Sequence, residues 1–367
     1  MIPVNAPLIS EDSKRNVMEA LDTGWISSAG KYVTQFEEGF AQYLGVAHAT
    51  TVSNGTAALH LALAALNISE GDEVIIPDMT IASCGFAVRY VGATPVFVPV
   101  QKDTGNIDPE ALSAALSPRT KAIMVVHLYG HPADMDAITA FAQQHNLLVI
   151  EDAAEAHGAT YQGKKAGSFG DVACFSFYGN KILTTGEGGM IVTNRQDVID
   201  RARLLKDLAH KPGQRFFHEE LGFNFRLTNL QAALGVGELS HLEEYIERKR
   251  RMAALYNELL AGIPGLVLPT ERPGVRSVYW MYNIVLGDEI SLSREDFMAK
   301  LKEQGIDTRT YFYPLHELPV FAGVSRTVGD TSTADMLSRR GLYLPSGLAL
   351  TESEIRQVSE SVRSILA

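Results

Sequence analysis

Between residues 46 and 193 the chain alternates short β-branched and aliphatic runs with stretches whose apolar positions recur every three to four residues. That alternation predicts βαβ units feeding a mostly parallel sheet. The expected strands lie at 49–53, 73–77, 95–100, 121–127, 147–152, 172–177 and 190–193. Their apolar residues are nearly continuous rather than alternating, which fits strands covered on both faces. Helices are expected over 56–66 and 134–145, and Asp108 before Pro109 supplies a cap and first turn for a third.

The pattern then changes. A helical period runs from 228 to 260 and carries the charged stretch from Glu247 to Arg251, read as a solvated helix face because the charges scatter around the helix. Beyond Pro264 the expected elements are a strand at 278–286, a helix opened by Ser293 with Asp296, a strand near Asp307, and a last helix with Thr351 and Glu354 as capping box. The fold class is therefore α/β, divided into a large domain over 1–240 and a long helix with a small C-terminal α+β domain over 241–367. The N-terminal segment is a candidate to pack on the small domain.

Composition narrows the function classes. With 46% hydrophobic and 20% charged residues in 367, the chain is expected to be globular. Its 32 Lys and Arg against 43 Asp and Glu weigh against nucleic-acid or anionic-membrane binding, so an anionic substrate needs local positive charge. Cys84 and Cys174 are the only cysteines and read as small core residues, not a disulfide framework or metal knuckle. The opening MetIleProValAsn has no signal-peptide character and no apolar run is of bilayer length, so a cytoplasmic protein is expected. His60, between two leucines, reads as a packing residue, and neither His127 nor His131 suggests a metal site. Tyr129 fits a pocket wall and core packing equally.

Three pieces carry chemistry. Asp152 closes the run LeuLeuValIleGluAsp at the carboxyl end of a strand, where open α/β sheets place their ligands. Lys181 follows a buried strand ending at Ser176 and precedes the glycine-rich stretch 184–189; desolvation there favours a neutral, nucleophilic amine able to form a Schiff base. SerAsnGlyThrAlaAla at 53–58 is a strand-to-helix junction, where Gly55 permits close approach and the helix N-terminus offers N–H groups to a phosphate. Phosphate anchor, buried carboxylate and amine together match the demands of pyridoxal 5'-phosphate.

On these residues the chain resembles the sugar aminotransferases of the DegT/DnrJ/EryC1/StrS family, within fold type I of pyridoxal-phosphate enzymes. The resemblance covers nearly the whole length. Further landmarks are GlyAspGluValIleIlePro (71–77), HisLeuTyrGlyHisPro (127–132), GluAspAlaAlaGluAlaHisGly (151–158), SerPheTyrGlyAsnLys (176–181), GlyGluGlyGly (186–189) and GlyPheAsnPheArgLeuThrAsn (222–229). It implies that Lys181 holds the cofactor and shuttles protons, and that Asp152 keeps the pyridinium nitrogen protonated. It further implies that Gly55, Thr56 and Ser176 seat the phosphate, joined by Asn224 from a second subunit, which makes the protein a homodimer with shared sites. Glu155 stands where many members carry Gln or His, Ile81 where a stacking aromatic is common, and Ser277 where relatives carry His.

The GlyAsnLys turn followed by 184–189 resembles members that aminate sugar C4, and the stretches 25–30 and 310–316 resemble those that use GDP-4-keto-6-deoxymannose and L-glutamate, yielding GDP-perosamine. Pyridoxamine 5'-phosphate would be the intermediate cofactor form. Arg309, Tyr313 and His316 are implied contacts to sugar, nucleotide phosphate or donor carboxylate; for His316 a structural hydrogen bond, and for Arg309 a salt bridge, remain alternatives. Other nucleotide-linked keto sugars, C3 amination, and a cofactor-binding sensor without turnover also remain open.

Overall fold

Seven apolar runs enter one sheet: β1 (His48–Val52), β2 (Glu73–Pro77), β3 (Thr94–Val98), β4 (Thr120–Val126), β5 (Leu148–Asp152), β6 (Val172–Ser176) and β7 (Gly189–Thr193). The computed structural model describes residues 1–367 apart from the side chain of Arg215. Across the sheet the order is β1-β7-β6-β5-β4-β2-β3, with Arg326–Thr327 added beyond β3. Every pair from β6 to that edge is parallel, whereas β7 runs antiparallel to both neighbours.

Neighbouring residues on one strand feed opposite cores. Ile76, Phe97, Met124 and Ile150 join the cluster that also holds Leu59 and Leu63, while Ile75, Val96, Ile123 and Val149 join one with Met135 and Ile138. Strand side chains alternate faces, so a sheet buried on both sides has apolar residues at successive positions through the middle of its strands.

The main helices are α1 (Glu11–Asp22), α2 (Lys31–Leu44), α3 (Gly55–Ala65), α4 (Ser83–Tyr90), α5 (Met135–His145), α6 (Gln196–Lys206), α7 (Asn229–Leu239) and α8 (Leu242–Leu260). The cap at Asp108 yields only the turn Pro109–Ala111 and the four-residue helix Leu112–Ala115. No helix among the described residues is long and apolar enough to cross a membrane.

A second sheet is antiparallel, in the order Leu266–Val267, Tyr282–Leu286, Gly341–Leu344, Arg309–Thr310. It packs Ile284, Leu286, Leu342 and Leu344 with Phe297, Ile355 and, from α8, Met252 and Tyr256. The N-terminal segment lies on this sheet's side: Ile2 bridges Ile306, and Val4 accepts the N–H of Ser346 at 2.7 Å.

Three expectations are corrected. The helix expected over 228–260 is two helices, interrupted at Ser240 and His241. Gly235 and Gly237 weaken that stretch, and Gly237 lies so close to the backbone of Ser13 on α1 that no side chain fits. Second, the charged stretch is not a uniformly solvated face. Lys249 is 2% exposed and donates to the carbonyls of Trp280 (2.7 Å) and Ser346, while Arg250 pairs with Glu271. Third, the strand expected over 278–286 begins at Tyr282. Residues ahead of it bond elsewhere, Val278 to the Gly130 carbonyl and Trp280 to that of Tyr129.

Candidate active site

A cavity of about 660 Å³ opens at the carboxyl ends of β5 and β6, between the large sheet and the segments carrying Trp280, Phe312 and Tyr343. Lys181, Asp152, Glu155, Ser176, Gly55, Thr56 and Ile81 all line it. These seven are spread over 127 positions of sequence, from 55 to 181; parallel strands bring them together because each ends at the same edge.

The amine is held on two sides. Lys181 Nζ stands 3.6 Å from Oε1 of Glu155 and 3.7 Å from the centroid of the Trp280 ring. Burial lowers the pKa of this lysine, against the pull of Glu155 and Asp152, so the neutral amine is favoured relative to a solvated one. Burial also pushes Glu155 up to about 7, despite the Lys181 charge and the Tyr129 N–H that its Oε2 accepts at 2.7 Å. The two groups together disfavour a fully charged pair in a dry site.

The turn bearing Lys181 is tied from far away. The Asn180 carbonyl accepts the indole N–H of Trp280 at 2.8 Å and the side-chain amide of Asn5 at 2.9 Å. Neither contact was expected, since 175 and 100 positions separate the partners and no local pattern announces them.

Asp152 is buried at the end of β5. Its Oδ1 accepts the Ala154 N–H at 3.0 Å, and its Oδ2 lies 3.1 Å from Cys84 Sγ. Next to it in the strand, Glu151 faces the other way. Burial opposes its charge, but His127 and the N–H groups of Gly170 and Gly167 hold its carboxyl below the usual range. Glu151 thus pins the 167–170 turn and pairs with His127 Nε2 at 3.0 Å.

The cavity's other end is the start of α3. Asn54 caps it by accepting the Ala57 N–H at 2.8 Å, and Gly55 presses on Ser176: a Cβ there would meet the Ser176 Cβ at 2.8 Å. Thr56 Oγ1 lies 3.0 Å from Ser83 Oγ. Two hydroxyls and the first turn of a helix accordingly face one corner.

The remaining expected contacts are dispersed. His316 is absent from the cavity wall; its N–H and its Nδ1 meet the two oxygens of buried Asp78 at 2.9 and 2.6 Å, and its Nε2 lies 3.5 Å from Asp335. The structural hydrogen bond is thus the alternative found at His316. Tyr313 is 63% exposed and off the wall, which its neighbour Phe312 occupies instead. Arg309 is exposed, 3.9 Å from Asp307, and pairs in register with Tyr343, a wall residue. Asn224 lies on the surface, accepting from Arg226. Ser277 holds the Gly130 carbonyl at 3.1 Å. His60 packs on Phe223 but also lines the cavity, and Tyr129 is core, with a backbone φ of 53°.

The donor set fits pyridoxal phosphate. A helix start backed by a glycine suits a phosphate, a buried amine suits an aldehyde, and a buried carboxylate suits a protonated ring nitrogen. Fold and site together define a pyridoxal-phosphate-dependent aminotransferase. Residues 7–363 match the DegT/DnrJ/EryC1/StrS aminotransferase family, to which the chain belongs. It is 45% identical over 369 residues to the GDP-perosamine synthase of Caulobacter vibrioides, covering 100% of this chain and 98% of that one. To the GDP-perosamine synthase of Escherichia coli O157:H7 it is 42% identical over 361 residues, covering 98% and 97%. Among solved structures, S. venezuelae DesV in complex with a ketimine intermediate superposes with a TM-score of 0.90 at 38% identity, covering 96% of this chain and 94% of that one. The protein is therefore a sugar aminotransferase.

Proposed function

We propose that this enzyme takes the amino group of L-glutamate and places it on C4 of GDP-4-keto-6-deoxymannose, giving GDP-perosamine. Near-complete alignment with two named GDP-perosamine synthases supports the substrate. The observation that carries the chemistry is the buried amine of Lys181, 3.6 Å from Glu155 and on the same cavity wall as Asp152.

Bound pyridoxal phosphate supplies the carbon that carries the amino group and the ring that accepts the electrons released there. Lys181 would be the point of covalent attachment and, when freed, the base that moves the proton in both half-reactions. Its lowered pKa suits that task, because an ammonium could not accept a proton. Asp152 would hold the proton on the ring nitrogen. Gly55, Thr56 and Ser176 would seat the phosphate, Ile81 would give an aliphatic contact to the ring, and Glu155 would orient Lys181. Asn224 of the partner subunit completes the phosphate site, making the working form a homodimer. Arg309, in register with the wall residue Tyr343, would meet a nucleotide phosphate.

The test is a panel. Purified protein is incubated with glutamate and GDP-, dTDP- or UDP-linked 4-keto and 3-keto sugars, and 2-oxoglutarate is measured. Release with the GDP-linked 4-keto sugar is expected. A preference for a 3-keto or a non-GDP substrate overturns the assignment.

A further inference from the structure

Asp152 has a donor that the family landmarks do not include. Cys84, on α4, places its Sγ 3.1 Å from Asp152 Oδ2, and Thr80 Oγ1 lies 3.4 Å from the same sulfur. All three side chains are buried. A carboxylate only accepts, so in this contact the thiol is the donor; the Thr80 hydroxyl is then free to donate to sulfur, forming a chain from Thr80 through Cys84 to Asp152. Burial first, then the charges of Asp152 and Glu155, keep the thiol protonated, as a donor requires; Lys181 is a further charged group that bears on it.

Geometry leaves room for a third partner. With Oδ1 taking the Ala154 N–H and Oδ2 taking the thiol, the carboxylate is fixed at both oxygens, yet each retains a lone pair. A small apolar residue would fill the space of Cys84 but leave Oδ2 with no donor behind it.

We infer that Cys84 is a positioning residue: its S–H, backed by Thr80, orients Asp152 toward the cavity and thereby sets how firmly the protein grips a protonated pyridine ring. This rests on the proposed role of Asp152. The thiol touches neither substrate nor cofactor, and it acts through the carboxylate alone.

Infrared spectroscopy reads the contact directly, since the S–H stretch falls where proteins have little other absorption. With Cys174→Ala removing the second thiol, the remaining band is expected at the low frequency of a strongly bonded S–H, rising when Asp152→Ala is added. A band at the free-thiol position in the otherwise intact protein overturns the proposal without any change at Cys84. The second readout is the affinity of the cofactor-free protein for pyridoxal phosphate. Cys84→Ala is expected to weaken it roughly three- to tenfold, with Cys84→Ser, which keeps a donor, recovering most of the loss. Equal affinity in wild type and Cys84→Ala would sink the inference while leaving the role of Asp152 standing. A wild-type chain that binds no pyridoxal phosphate defeats both, and does so with Cys84 untouched.

Discussion

One carboxyl group joins the reactive lysine to a strained loop: Glu155 faces Lys181 through Oε1 and accepts the Tyr129 N–H through Oε2. Tyr129 sits at φ 53°, a conformation unfavourable for a residue with a Cβ, and the 2.7 Å bond helps to hold it there. A protonated glutamic acid resembles Gln in charge and shape.

That likeness gives a pH prediction. Burial raises Glu155 from 4.5 to about 7, so between those values the folded state holds a proton that the unfolded state has released. The contribution is fully present below 4.5 and is lost as pH rises through about 7. Glu155→Gln removes this slope: in denaturant titrations at pH 5 and pH 8, the stability of wild type relative to Glu155→Gln is expected to fall. Glu155→Ala strands the Tyr129 N–H and is expected to cost about 1–3 kcal/mol at either pH. A wild type and Gln variant that track each other across the range would refute the titration.

Lys249 predicts the opposite trend at higher pH. Burial lowers its pKa from 10.5 to about 7, with no carboxylate contact, and its two acceptors are carbonyls that a neutral amine also satisfies. The unfolded chain binds this proton up to 10.5 and the folded chain releases it near 7, so the folded state gains stability as pH rises across that interval. Thermal melts of wild type and Lys249→Met between pH 7 and pH 9.5 check it: the wild type should gain relative to the variant. An unchanged difference contradicts it.

Gly55 is expected to tolerate no side chain. In Gly55→Ala the new Cβ meets Ser176 Cβ at 2.8 Å and its Cα at 3.5 Å, and Ser176 belongs to the central strand β6 and has little room to yield. Overpacking of this kind costs about 1–3 kcal/mol. Because the displaced residues are those proposed to seat the phosphate, a weaker dissociation constant for inorganic phosphate and for pyridoxal phosphate should accompany the lower melting temperature. Unaltered binding of both would separate Gly55 from the phosphate site.

His316 and Arg309 should behave differently. His316→Ala removes the Nδ1 contact at 2.6 Å from buried Asp78 while the backbone N–H at 2.9 Å remains, and the loss of one partner from a buried polar group is expected to cost about 1–3 kcal/mol. Arg309 is exposed, so Arg309→Ala is expected to change stability by less than about 0.5 kcal/mol, while raising KM for the nucleotide sugar. Equal melting temperatures for the two variants would show that His316 is not structural.

Much of the fold was legible in the sequence. Strands covered on both faces are apolar through their middles, so β2 and β4 through β6 are written as short apolar runs with polar residues at their ends, and the ordered motifs around Asp152, Glu155 and Lys181 pointed to the same cavity wall. Periodicity failed where a local signal was overruled. The helix break at Ser240 and His241 lies beyond two glycines that weaken the period, and buried Lys249 donates to two carbonyls remote in sequence.

The sequence by itself determined that a lysine, an aspartate and a helix start stand at strand ends, because chain order and strand period are local properties. Only the tertiary structure decided what surrounds them: Trp280 over the Lys181 amine, Asn5 and Trp280 on the Asn180 carbonyl, and the Cys84 thiol behind Asp152. Those contacts join residues 68 to 175 positions apart, and a hydrogen bond or ring contact depends on distance in space, which no pattern along the chain specifies.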